Sequence, residues 1–196
     1  MVIVPTLPHM DKEGLEIFNK MILQSKAYLE YGSGGSTLTA SASQNLDTII
    51  SVESDKAWAD KIKSLVSQSQ KKIVVDYVDI GPVGDWGKPL STEKIYNYFL
   101  YTTKPWERSE QNGIEPDLVL IDGRFRVSTF LFSLLKAQLG TVILFDDYTD
   151  RPYYHVIEEF IKPSQNHGRM ALFEVKKKNL PDKLIAKMMQ YSIDFS

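Results

Sequence analysis

The 196-residue sequence has no cysteine and only three histidines. Without thiols there are no disulfides, no thiolate metal sites and no cysteine nucleophile. No apolar run approaches the roughly 18 residues that cross a bilayer. The opening Met-Val-Ile-Val-Pro5 lacks the basic then apolar layout of a secretory leader. The expectation is a cytoplasmic protein with no membrane partner. Neither charge is in surplus: 23 Lys and Arg face 25 Asp and Glu. A nucleic-acid binder usually carries a basic excess, so nucleic acid is not the expected partner. The only dense basic run, Lys176 to Lys178, reads as a solvated loop. Repeats, low-complexity tracts and linkers are also missing. What remains is enough chain, at 43% hydrophobic residues, for one domain with a full core. Residues 1–25 read as an extension and helix packed on it.

The most informative stretch is Ala27-Tyr-Leu-Glu-Tyr-Gly-Ser-Gly-Gly-Ser-Thr37. Ala27 to Tyr31 reads as a buried strand, Gly32, Gly34 and Gly35 as a tight turn, and Ser36 or Thr37 as the cap of the next helix. Glycines let the backbone approach a ligand, and free N–H groups point at it. A dinucleotide site puts a pyrophosphate on such a turn, where Glu30 would repel it. The third glycine of G-x-G-x-x-G would also fall at Thr37. S-adenosylmethionine (SAM) has an ammonium and a sulfonium and no phosphate, so an acid beside the turn suits it. The pattern Glu30-x-Gly32-x-Gly34 resembles the first motif of class I SAM-dependent methyltransferases. That resemblance implies cofactor contacts from Glu30, Gly32, Ser33, Gly34, Ser36 and Thr37. Glu53 closes the next apolar strand, 19 positions after Gly34. An acid about 20 residues past the glycines accepts from ribose hydroxyls in Rossmann-type units. The plainer reading is a Gly-rich turn and two solvated acids.

Apolar periodicity lays out the rest. Residues 11–25, 36–45, 55–68, 91–104, 126–138 and 151–161 read as helices. Residues 27–31, 47–52, 72–78, 117–122 and 141–147 read as strands. Met170 to Val175 and Leu184 to Ile193 read as a closing antiparallel pair. Within 91–104, Tyr96, Phe99 and Leu100 form a core stripe, leaving Tyr98 and Tyr101 to face a substrate or partner. Trp106 to Pro116 reads as irregular. The expectation is an α/β fold: a Rossmann-like, doubly wound, mostly parallel seven-stranded sheet, helices on both faces, and an antiparallel C-terminal hairpin. The class I methyltransferase fold has this order. The resemblance implies adenine contacts where strand three exits, at Asp79 and Ile80, with Trp86 either stacking on the ring or anchoring the loop.

Asp122, Asp146 and Asp147 end the fourth and fifth strands. In the fold that the resemblance implies, strand four lies beside strand one and strand five beside strand four, about 4.8 Å apart, so these acids are expected to converge beside Glu30. The segment from Leu120-Ile-Asp122-Gly through Leu144-Phe-Asp146-Asp147-Tyr148 to Arg151-Pro152 resembles macrolide-sugar O-methyltransferases. There such acids hold magnesium and activate a hydroxyl. By that resemblance Asp122 is base or ligand and Asp146 and Asp147 are ligands, with magnesium a second candidate cofactor after SAM. Arg124 and Arg126 depart from the pattern, and could replace a dication or bind an anionic substrate. Consecutive acids also point to opposite faces unless the chain has turned. Tyr148 is a candidate for the substrate pocket, while His155 reads as structural. The implied activity is methyl transfer from SAM to a small-molecule acceptor, a hydroxyl oxygen and anionic if the arginines bind it, with Asp122, Asp146 and Arg124 as catalytic candidates. An NAD(P)-dependent oxidoreductase and a non-catalytic SAM- or nucleotide-binding module are the alternatives. Oligomeric state, including a homodimer, is open.

Overall fold

The computed structural model describes residues 3–176 and 180–195. Lys177 and Lys178 of the basic run lie outside them. Seven strands form one sheet: β1 (Ala27–Tyr31), β2 (Thr48–Glu53), β3 (Lys72–Tyr77), β4 (Leu118–Ile121), β5 (Val142–Phe145), β6 (Gln165–His167) and β7 (Met170–Glu174). Their order is β3-β2-β1-β4-β5-β7-β6. The first five are parallel, and β7 runs antiparallel to both β5 and β6.

The helices are α1 (Lys12–Gln24), α2 (Gly35–Ala42), α3 (Lys56–Val66), α4 (Tyr98–Gln111), α5 (Arg126–Lys136) and α6 (Lys183–Tyr191). Ile17, Phe18 and Ile22 of α1 and Ala40 of α2 pack with Tyr28, Ile49, Leu118, Leu120 and Leu144 on one face of the sheet. Leu29, Tyr31, Val119 and Ile121 face the other side, under Tyr101 and Trp106 of α4, Phe130 and Leu134 of α5 and Leu184 of α6. Parallel strands covered on both faces must be apolar along their whole length, and β4 and β5 are. Each such side chain contributes about 1.5–3 kcal/mol by burial.

Four expectations are corrected. The C-terminal hairpin exists, but β6 supplies its other strand, and Leu184 to Ile193 lies mostly in α6. Leu184, Met188 and Tyr191 recur at helical spacing and pack onto the core. Helix α4 starts at Tyr98 and continues through Pro105 to Gln111, so the stretch from Trp106 is helical in its first half. That phase reverses the aromatic assignment: Tyr98 and Tyr101 are buried, whereas Tyr96 and Phe99 are exposed. Residues 152–159 form a 3₁₀ stretch in place of an α-helix.

Candidate active site

The carboxyl ends of the parallel strands open into a cleft of about 910 Å³. One wall is the glycine turn. Gly32 has φ +89°, and a Cβ there would lie 2.9 Å from Gly123 Cα. The turns after β1 and β4 therefore touch backbone to backbone. A Cβ on Gly35 would collide with the Leu7 carbonyl, because residues 5–9 run across the start of α2. Gly34 faces open space on the cleft side.

Glu30 is fully buried beneath this turn. It accepts hydrogen bonds from Tyr28 Oη (2.8 Å), Ser36 Oγ (2.8 Å) and Thr37 Oγ1. Thr37 Oγ1 in turn accepts from the Gly34 N–H at 2.9 Å. Burial raises the Glu30 carboxyl above its ordinary value, and the three hydroxyls oppose that. Neither Glu30 nor Thr37 lines the cleft. The expected acid beside the ligand is instead the anchor of the turn, and Thr37 caps backwards from the first turn of α2.

Glu53 does line the cleft. It accepts from Ser33 N and Oγ (both 3.1 Å), Ser54 N (2.7 Å) and Asp55 N (3.0 Å). Burial raises its carboxyl, and these donors pull it down. Across the opening, Trp86 is 75% exposed and its ring stands 5.4 Å from that of His9. Two expected adenine contacts lie elsewhere: Asp79 pairs with Lys94 and Ile80 is buried, and neither lines the cleft.

The floor is a cluster of acids and arginines. Strand β5 stops at Phe145, and Asp147 takes φ +58°. The chain has turned, so both acids reach the same site. Arg126, 4% exposed, donates to Asp122 Oδ1 and Asp147 Oδ2, both at 3.1 Å. Arg169 meets Asp146 (3.3 Å) and Asp147 (3.0 Å), and Arg151 meets Asp147 (2.7 Å). Arg124 donates to the Phe195 carbonyl, and its Nε is buried with no partner among the described residues. Burial pushes the Asp122 carboxyl up, to about 7; Arg126 pulls it down and Asp146 and Asp147 push it further up. His155 binds the Tyr148 carbonyl and is structural. Tyr148 is buried and donates to Glu158, away from the cleft lining.

Sequence reasoning missed Arg151, Arg169 and Trp58 as cleft residues. Arg169 had no local signal, because it depends on a hairpin whose first strand is Gln165-Asn-His167. The residues do not fit a dication. Oxygens of the three aspartates lie within 4.8 Å of one another, but guanidiniums already occupy them.

No protein-family model matches the chain, and no curated protein matches it. Solved structures do. A methyltransferase-like protein from Silicibacter pomeroyi is 33% identical, with 97% of this chain and 100% of that chain covered and a TM-score of 0.87. An O-methyltransferase from Bacillus cereus, in complex with SAH, shares 15% identity over 89% of this chain and 84% of that one, with a TM-score of 0.55. At that identity the second likeness is one of fold. With a relative one-third identical along its full length, and with this sheet order and glycine turn, the chain belongs to the class I SAM-dependent methyltransferase family.

Proposed function

We propose that the protein methylates a hydroxyl oxygen of a small anionic molecule, with SAM as donor and Asp122 as base. The observation that carries this is Asp122 itself. It sits where the β4 turn touches the glycine turn, in a cleft that also holds Arg124, Arg151 and Arg169.

The residues fit SAM. Ser33 Oγ is a rotatable donor on Glu53 that a ribose hydroxyl can replace, and the open space at Gly34 leaves room against the turn. Gly32, Ser33, Gly34 and Ser36 would hold the amino-acid end. When bound, SAM supplies an electrophilic methyl carbon on a sulfonium. Asp122 takes the hydroxyl proton as the acceptor oxygen bonds to that carbon, the C–S electron pair goes to sulfur, and S-adenosylhomocysteine leaves. Alignment and proton transfer are what the enzyme adds.

Four arginines against three aspartates leave one positive charge on this floor. Arg151 is 41% exposed and the Arg124 Nε–H has no partner among the described residues, which supports a carboxylate or phosphate on the acceptor. The test is a panel of hydroxylated carboxylates, phosphates and neutral alcohols with labelled SAM. Anionic acceptors should turn over. Asp122→Asn should lose about 10²–10⁴-fold in rate with SAM binding intact. Near-wild-type rates in that variant would remove Asp122 from the role.

A further inference from the structure

Arg126 occupies a position that proteins normally avoid for a cation. It is the first residue of α5, where the helix dipole is positive, and it is almost fully buried. The preceding residue, Phe125, is held at φ +55°. All five guanidinium N–H groups are accounted for. Nε donates to Gly123 O (3.0 Å), Nη1 to Asp146 O (2.8 Å) and Asp147 Oδ2 (3.1 Å), and Nη2 to Asp122 Oδ1 (3.1 Å) and Asp122 O (3.4 Å). The fork thus ties the end of β4 to the end of β5. Asp147 is further held by Arg151 and Arg169, and Asp146 by Arg169. Magnesium needs near-octahedral oxygens at about 2.0–2.1 Å. It could enter only by displacing the guanidinium from these acceptors.

We infer that the Arg126 guanidinium is the resident cation of the Asp122–Asp146–Asp147 cluster, closing it to divalent metals and acting as the positioning residue that aims the Asp122 carboxylate at the cleft. The closure stands on this geometry alone; the positioning role rests on the methyl-transfer reading. Among the described residues Arg124 keeps an unpartnered Nε–H, whereas Arg126 is wholly engaged with the acids and the carbonyls beside them.

The experiment titrates Mn²⁺ into wild type, Arg126→Ala and Arg126→Lys, read by electron paramagnetic resonance and thermal shift, with SAM binding measured on the same samples. Wild type should show no specific site up to about 1 mM Mn²⁺, and chelator should leave SAM binding and turnover unchanged. Arg126→Ala should bind Mn²⁺ at least roughly tenfold more tightly than wild type. Arg126→Lys keeps the charge and loses the fork, so it should stay closed to Mn²⁺ with kcat lowered and the rising limb of its pH profile displaced. Micromolar Mn²⁺ binding by wild type overturns the closure, even if Arg126→Ala fails to fold. A wild-type kcat and pH profile in Arg126→Lys overturns the positioning role. Loss of SAM binding in every sample would instead strike the methyl-transfer reading and leave the metal result standing.

Discussion

Asp122 and Glu30 are carboxyls near the ends of adjacent strands, but Glu30 is fully buried within β1 whereas the Asp122 side chain is about a quarter exposed just past β4. Asp122 opens on the cleft and is pushed up to about 7, so it changes state in the range where a base is useful. Only its ionised form can take a proton, so kcat/KM should climb as pH rises through about 7 and level off above it. A pH–rate profile flat from 5.5 to 8.5 would contradict this. The same shift has a stability consequence. A raised carboxyl favours the folded, protonated state, so its contribution is full below the unfolded value near 3.9 and is lost as pH rises through about 7. Asp122→Asn should therefore gain in Tm relative to wild type between pH 5 and 8. Glu30 has no access to the cleft and serves three hydroxyls. Glu30→Gln replaces one acceptor oxygen with a donor, stranding at least one hydroxyl, and should cost about 1–3 kcal/mol in denaturant unfolding. An unchanged midpoint would mean that the turn does not depend on it. The sequence marked Glu30 as exceptional because an acid beside a glycine turn repels a pyrophosphate and suits a cationic ligand. Its protein partners were not legible, since Tyr28 and Ser36 reach it only once strand and helix have formed.

At the scale of elements, strain gathers around the cleft. Trp86, Phe125 and Asp147 are the non-glycine residues with positive φ among those described. Trp86 and Asp147 line the cleft, and Phe125 sits between two arginines that do. Trp86 gains little from the protein in return, being largely exposed beside His9. Trp86→Gly should leave thermal stability unchanged or slightly higher, since glycine adopts this φ freely, while SAM affinity falls as the covering ring is lost. A stability drop of several degrees would show that the ring anchors the loop instead. The parallel strands were legible because each holds a short apolar run, and those of β2, β4 and β5 lead straight into an acid. The last third was less so. Leu184, Met188 and Tyr191 carry a helical period, but their apolar density also suits a strand. Strand β6, Gln165-Asn-His167, has no strand signal and exists because β7 offers it an edge. Arg169, in the turn between them, could not be assigned to the site from sequence for that reason.

The molecule is built on one sheet, and a ligand-sized cleft opens at the end where all five parallel strands terminate. The cleft lining thus draws on segments from Pro5 to Arg169, and ligand binding should hold these turns together. Saturation with SAM should stabilise the fold by mass action, by about 2.7 kcal/mol at a hundredfold excess over Kd. No helix among the described residues is long and apolar enough to cross a membrane. The most direct test of the account is calorimetric titration of SAM, S-adenosylhomocysteine and NAD into wild type and Glu53→Ala, without added metal. The account predicts micromolar binding of both adenosyl ligands, its loss in Glu53→Ala, and no binding of NAD. Binding of NAD without SAM would contradict it.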